Sequence, residues 1–195
     1  MRLVILKYNA GNKRSVINAF ERLGVNPTVS DDPIVLRAAD AVVFPGVGEA
    51  SSAMSHLRQR GLDSVIKDLE QPVLGICLGM QLLCTRSEEN DTECIGVFET
   101  NVKAFPKGEL KVPHTGWNTL ISPESGLFKG VEDGSHVYFV HGYYVEASND
   151  TTAFSEYGFP FSASLSIRNF HGVQFHPEKS GPVGEQILKN FLESI

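Results

Sequence analysis

Cys77, His176 and Glu178 are the residues whose types and surroundings suit covalent catalysis. Cys77 lies in Val73-Leu74-Gly75-Ile76-Cys77-Leu78-Gly79-Met80-Gln81, which reads as a buried strand, an abrupt turn and a helix. Gly75-x-Cys77-x-Gly79 is the thiol counterpart of the Gly-x-Ser-x-Gly nucleophile elbow. Glycines are needed there because strand and helix backbones approach too closely for side chains. A cysteine at a helix N-terminus is favoured as the thiolate, its reactive form. Such a sulfur can attack an acyl carbon, and it then needs a base. Gly172-Val173-Gln174-Phe175-His176-Pro177-Glu178 supplies one. Val173 and Phe175 alternate with Gln174 and His176 as in a strand. If that geometry continues, His176 and Glu178 share a side with Cα atoms roughly 6–7 Å apart. Pro177 cannot donate to a ladder and marks the strand's end or edge. Side chains there reach the crevice where parallel sheets bind ligands. His176 would take and return the proton while Glu178 fixes the imidazole tautomer.

Taken singly, a buried cysteine reads as core and His-Pro-Glu as a turn; together they read as nucleophile, base and orienter. The order Cys, His, Glu differs from the nucleophile, acid, His order of α/β-hydrolases. The other histidines are His56, His114, His136, His141 and His171; His56 lies in a polar helix and His171 beside a turn. His141 is the rival base, with no carboxylate near it in sequence. Acyl attack also needs N–H donors for the developing oxyanion. The Leu78 N–H follows the nucleophile. A second donor is expected from Phe44-Pro45-Gly46-Val47-Gly48, where glycines flanking Val47 let its peptide turn toward the site. The alternative is a plain strand-to-helix turn. Gly46-Val47-Gly48 is not a dinucleotide-binding fingerprint.

These residues must be positioned by alternating elements. Leu3–Leu6, Pro27–Ser30, Ala41–Phe44 (ending at Pro45) and Val73–Ile76 read as strands. Asn12–Leu23, Ala50–Leu69 (interrupted at Gly61) and Leu78 to about Arg86 read as helices. The alternation predicts a parallel sheet covered on both faces. In the second half, Cys94–Phe105, Trp117–Ile121, Val137–Ala147, Thr152–Tyr157 and Ser162–Phe175 read as hairpins and antiparallel strands. Val183, Ile187, Leu188, Phe191, Leu192 and Ile195 form the apolar stripe of a closing helix. The expectation is one mixed α/β domain over residues 1–195, with a flavodoxin-like three-layer fold and a mixed central sheet.

Charge and cysteine usage narrow the setting. Seventeen Lys and Arg against 23 Asp and Glu give a net charge of −6, which opposes nucleic-acid binding. The N-terminal apolar run is too short for a signal peptide, and no segment approaches a membrane span. Cys77, Cys84 and Cys94 are odd in number and lack CxxC spacing, so neither a disulfide framework nor a zinc site is expected. A reducing, cytoplasmic compartment follows.

The Gly-Ile-Cys-Leu-Gly-Met-Gln elbow and the Phe-His-Pro-Glu segment resemble the hallmarks of class I, triad-type glutamine amidotransferases. Pro45-Gly46-Val47-Gly48, Pro113-His114-Thr115-Gly116-Trp117-Asn118 and Tyr138-Phe139-Val140-His141 resemble, within that class, the glutaminase subunits of imidazole glycerol phosphate synthases. The resemblance spans essentially the whole chain and implies the class I glutamine amidotransferase fold. It implies hydrolysis of L-glutamine to glutamate and ammonia through a Cys77 thioester, with His176 and Glu178 completing the triad. It gives Val47 and Leu78 the oxyanion, makes Gly46 and Gly48 the flexible ends of a peptide that flips, and puts Gln81 and Glu89 against glutamine. Gly142 and Tyr143 would hold substrate through backbone. Trp117, Asn118 and Tyr138 would meet a partner cyclase with a (β/α)8 barrel, which uses the ammonia to make imidazole glycerol phosphate and an aminoimidazole carboxamide ribonucleotide in histidine biosynthesis. It implies no metal and no cofactor. Amidotransferase subunits for anthranilate, aminodeoxychorismate or pyridoxal phosphate synthesis are the nearest competing reading. A dead flavodoxin-like binding module and an elbow-bearing cysteine peptidase are the others.

Overall fold

The computed structural model describes residues 1–195 except Gly11, Asn12, Lys107 and Glu109. Its first half alternates strands and helices: β1 Leu3–Leu6, α1 Lys13–Arg22, β2 Thr28–Ser30, α2 Pro33–Arg37, β3 Ala41–Gly46, α3 Ala50–Gln59, α4 Leu62–Lys67, β4 Val73–Cys77 and α5 Leu78–Leu83. Asn12, the expected start of α1, lies outside the described residues. The second half is mostly strand: β5 Arg86–Ser87, β6 Thr92–Glu93, β7 Asn101–Ala104, β8 His114–Thr119, β9 His136–His141, β10 Tyr143–Val145, β11 Thr151–Glu156, β12 Pro160–Ile167 and β13 Phe170–Val173, before α6 Gly181–Glu193.

The main sheet runs β2-β1-β3-β4-β13-β12-β10-β7-β5-β6, with β11 paired to β12. β2, β1, β3, β4 and β13 are mutually parallel; β12, β10 and β11 bring the antiparallel pairing. Both faces are covered, so the inner strands are apolar throughout. Along β1, Val4 and Leu6 face α3, α4 and α5 with Met54, Leu57 and Ile66. Leu3 and Ile5 face α1 and α6, against Phe20, Ile187 and Phe191. Burying each such side chain contributes about 1.5–3 kcal/mol. β8 and β9 form a separate ribbon on this second face, and Val137 and Phe139 join its core.

Helix ends follow local chemistry. Asp32 caps α2 through the Ile34 N–H at 2.8 Å, with Pro33 opening the helix. Glu49 caps α3 through the Ser51 and Ser52 amides. Gly61, left-handed at φ 63°, separates α3 from α4, as expected.

Several boundaries differ from the sequence reading. β3 continues through Pro45 to Gly46. Beyond Val43 it pairs with β4 alone, and the Pro45 carbonyl accepts from Tyr8 past the end of β1. The missing proline N–H therefore breaks no ladder. α5 stops at Leu83 rather than near Arg86, because Cys84 is extended at ψ −179°. The Cys94–Phe105 stretch is strand only over β7. The ribbon strand begins at His114, not Trp117, and ends at Thr119. The 137–147 stretch breaks at Gly142, and the 162–175 stretch reverses at Arg168, left-handed at φ 53°.

Candidate active site

The C-terminal ends of the neighbouring strands β3, β4 and β13 carry the chemistry, where open parallel sheets bind ligands. Cys77 sits at the tip of the elbow with φ 53° and ψ −109°, a backbone geometry costly for any residue with a Cβ. Steric closure around it holds the strain. A Cβ on Gly79 would lie 1.8 Å from the Phe44 carbonyl oxygen, and one on Gly75 would lie 2.9 Å from Leu83 Cδ1 and Met80 N. The glycine requirement read from the sequence is therefore steric at both positions. The thiol is buried, and Sγ lies 3.8 Å from the Val140 carbonyl oxygen.

His176 and Glu178 meet by a different geometry from the one expected. β13 ends at Val173, and Pro177–Lys179 is a 3-10 turn, so the strand does not continue through the pair. Pro177, with fixed φ, opens that turn. The turn brings His176 Nδ1 and Glu178 Oε1 to 2.8 Å, with both side chains buried. A carboxylate only accepts, so Nδ1 carries a proton and Nε2 is the nitrogen available to Cys77. Nε2 and Glu178 Oε2 have no hydrogen-bond partner among the described residues. A ring of bonds from β9 locks the turn. His176 N–H donates to the Tyr138 carbonyl at 2.9 Å, Tyr138 N–H to Ser180 Oγ at 2.9 Å, and Ser180 Oγ–H to the His176 carbonyl at 2.7 Å. Burial opposes charge on His176, but Cys77 and Glu178 outweigh it and raise its pKa well above the usual imidazole value. The site thus favours the protonated imidazole of His176. His141 is no rival base: Nδ1 donates to the Tyr143 carbonyl at 2.7 Å, Nε2 faces His114 Nδ1 at 2.9 Å, and burial lowers its pKa to about 3.

A cavity of about 250 Å³ opens onto Cys77, lined by Val47, Gly48, Leu78, Gln81, Glu89, Gly142 and Tyr143 among others. A larger cleft of about 380 Å³ lies behind Glu178, between Arg22, Lys179 and Glu185; it does not touch Cys77, and the smaller cavity is the site. Leu78 opens α5, so its N–H has no carbonyl partner within the helix. The glycines flanking Val47 differ. Gly46 belongs to β3, and a Cβ there would lie 2.6 Å from Leu78 Cβ, so it is fixed by packing rather than flexible. Gly48 has φ 123°, and a Cβ there would meet only Ala10 Cβ, at an ordinary contact distance of 3.7 Å, so its need is conformational. Glu89 spends one oxygen on the Ala50 N–H at 2.7 Å, and burial raises its pKa. Gln81 is half committed as well: its Nε2 donates to the Tyr143 carbonyl at 3.0 Å and to Gln174 Oε1 at 2.9 Å.

The three residues expected at a partner surface divide. Trp117, for which core packing was the alternative, is 56 % exposed and sets its ring edge against half-buried Tyr138, whose ring lies under Lys179 Nζ. Asn118 turns inward, donating to the Glu156 carbonyl at 2.7 Å and lying 3.3 Å from His114 Nε2. Sequence reasoning missed Tyr8, which donates to the Pro45 carbonyl at 2.7 Å and has its pKa raised by burial and then by Cys77. It also missed Ser180 and Gln174. Gln174 is buried, with Nε2 3.7 Å from Cys77 Sγ. A signal existed for Gln174: it is an amide with the same strand parity as His176 in an otherwise apolar segment. Among the described residues, no group of three or more His, Cys, Asp or Glu side chains is placed to hold a metal ion.

A sheet crevice holding a strained cysteine and a His–Glu pair defines an acyl-transfer enzyme of the amidotransferase kind. The family model for class-I glutamine amidotransferases matches residues 4–195, and the chain belongs to that family. It is 57% identical over 195 residues to the imidazole glycerol phosphate synthase subunit HisH of Bacteroides fragilis, covering 99% of this chain and 100% of that protein. It is 48% identical over 196 residues to the protein of the same name from Escherichia coli K12, with the same coverage. A putative GMP synthase subunit from Thermoplasma acidophilum shares the fold at TM-score 0.77 and 21% identity, covering 99% of this chain and 93% of that one.

Proposed function

We propose that this chain, as one amidotransferase domain over residues 1–195, is the glutaminase subunit of an imidazole glycerol phosphate synthase in histidine biosynthesis. Cys77 Sγ attacks the side-chain amide carbon of L-glutamine. The carbonyl π pair moves onto oxygen, where the Val47 and Leu78 N–H groups stabilise it. His176 gives its proton to the leaving nitrogen, ammonia departs, and a Cys77 thioester remains. Water, deprotonated by His176, then attacks the thioester; glutamate leaves and the thiolate is restored. Glu178 holds His176 in the tautomer both steps need.

Glu89 and Gln81 Oε1 bind the α-ammonium end of glutamine, and the Gly142–Tyr143 backbone holds the rest. A desolvated Glu89 carboxylate gains most from such a cation. The ammonia passes to a partner cyclase with a (β/α)8 barrel, which docks on the ribbon face carrying Trp117 and Tyr138, with Asn118 supporting that face from within. A shift of the Val47 peptide, hinged at Gly48, couples cyclase occupancy to glutaminase rate. No described helix is long and apolar enough to cross a membrane, and the enzyme works in the cytoplasm.

The observation that carries this reading is Cys77 held strained on its elbow in the same cavity as the half-spent carboxylate of Glu89. Cys77→Ser tests it. Glutaminase activity of the assembled synthase should fall by about 10⁴-fold or more, with assembly and ammonia-dependent synthesis intact. An active Cys77→Ser enzyme refutes the nucleophile assignment.

A further inference from the structure

A directed chain of hydrogen bonds ends on the nucleophile. Its direction is fixed at the far end, because the Tyr143 carbonyl can only accept. Gln81 therefore presents its NH₂ group to Tyr143, and the other N–H of that group points at Gln174. The amide oxygen of Gln174 must receive it. That leaves the Gln174 NH₂ group facing Cys77, with Nε2 3.7 Å from Sγ. The anchor is itself held: His141 Nδ1–H donates to the same Tyr143 carbonyl at 2.7 Å. Every amide in the chain is thus locked against a flip.

The sulfur faces two unlike groups. The Val140 carbonyl oxygen at 3.8 Å suits a thiol, which can donate to it, and opposes a thiolate. The Gln174 N–H suits a thiolate. A thiol sulfur is a weak acceptor, whereas an anionic acceptor roughly doubles the strength of such a bond. Gln174 is fully buried, so water does not compete for its donor.

We propose that Gln174 is a catalytic residue that donates an N–H to the Cys77 thiolate, and that Gln81 is a positioning residue that fixes the direction of this donor. When the Cys77 proton passes to His176 Nε2, the sulfur gives up its bond to Val140 and takes the one from Gln174. The same bond releases as the thioester forms and returns when glutamate leaves. The proposal rests on Cys77 as the nucleophile, and its test separates the two claims.

The full-length chain is alkylated with iodoacetamide across a range of pH, and modification at Cys77 is followed by peptide mass spectrometry. In Gln174→Glu a carboxylate oxygen replaces the donor. The pH of half-maximal alkylation should rise by about one unit or more. In Gln174→Met, which keeps the volume, it should rise by less. With the synthase assembled, kcat should fall about tenfold and KM for glutamine should change far less. Gln81→Met, which removes the orienting donor, should shift the alkylation profile in the same direction. Unchanged profiles in folded Gln174→Glu and Gln174→Met proteins overturn the proposal. Full glutaminase activity after complete Cys77 alkylation overturns the nucleophile reading instead.

Discussion

The two walls of the Cys77 cavity are held by different physics. The elbow wall, made by β3, β4 and α5, is a steric object: backbones touch, and Gly75, Gly79 and Gly46 are present because nothing larger fits. The ribbon wall, made by β9, Gly142 and Tyr143, is a polar object. His114 and His141 of the ribbon, and Gln81 and Gln174 that reach it from α5 and from just past β13, are buried, and their donors are matched to acceptors across segments far apart in the chain. A steric wall fails all at once when overfilled. A polar wall loses one partner at a time.

The sharpest break belongs to the elbow. Gly79→Ala places a methyl 1.8 Å from the Phe44 carbonyl oxygen, and neither backbone can yield without opening the β3–α5 contact. The expected outcome is no folded protein, or a loss above about 4 kcal/mol in urea unfolding. Gly48→Ala is the matched control: its φ of 123° strains alanine, but the nearest atom is 3.7 Å away, so the cost should be about 1–3 kcal/mol. Equal costs at the two sites would erase the distinction between packing and conformation.

The ribbon wall should break in smaller steps. His141→Phe keeps the ring and its aromatic neighbours but strands the His114 Nδ1–H and removes one of two donors from the Tyr143 carbonyl. Leaving a buried donor unmatched costs about 1–3 kcal/mol, readable in urea unfolding. A change inside experimental error would mean that the network stabilises nothing.

The same pair predicts a pH dependence. Burial lowers the pKa of His114 to about 4 and of His141 to about 3, so both are neutral when folded near neutral pH. The unfolded chain binds protons there from roughly pH 6.5 downward. Between that pH and the folded values, the unfolded state holds more protons, and stability falls as pH falls. His176 has the opposite sign: its raised pKa gives stability fully present below the unfolded value and lost as pH rises through the folded one. Acid sensitivity between roughly pH 6.5 and 4 should therefore weaken in His141→Phe. A slope of urea midpoint against pH identical to the wild type's would show that the pair does not titrate on unfolding.

The contrast also explains what could be read from the sequence. The apolar runs of β1, β3 and β4 and the glycine spacing of the elbow are local signals, and steric needs appear as residue types. Cys77, His176 and Glu178 could be chosen because each role demands a particular side chain. The 3-10 turn at Pro177 could not be seen, since alternation through Phe175 reads equally well as continued strand. His141 looked like an isolated base because its partners, His114 and the Tyr143 carbonyl, reveal their roles only once β8 pairs with β9 and the chain turns at Gly142. Gln174 looked like an alternation residue for the same reason. Donor direction is a property of the closed network, not of any one segment.

The outer face of the ribbon gives the mildest prediction for the chain alone. Trp117 is 56 % exposed, and its ring meets Tyr138 across the strand pair at 5.9 Å between centroids. It lies on the opposite face of the ribbon from Phe139, which shares the core with Phe161 and Phe175. Trp117→Ala should therefore change the stability of the isolated chain by about 0.5 kcal/mol or less. An exposed tryptophan beside a tyrosine and Lys179 is also the kind of anchor that dominates protein interfaces. The affinity for the proposed cyclase partner should then fall about tenfold or more, equivalent to about 1.4 kcal/mol, in a binding titration. Asn118→Ala should behave in the reverse way, because its side chain turns inward to His114 and the Glu156 carbonyl. If Trp117→Ala destabilised the chain and left assembly untouched, the ribbon would be a purely internal wall, and the partner would have to dock elsewhere.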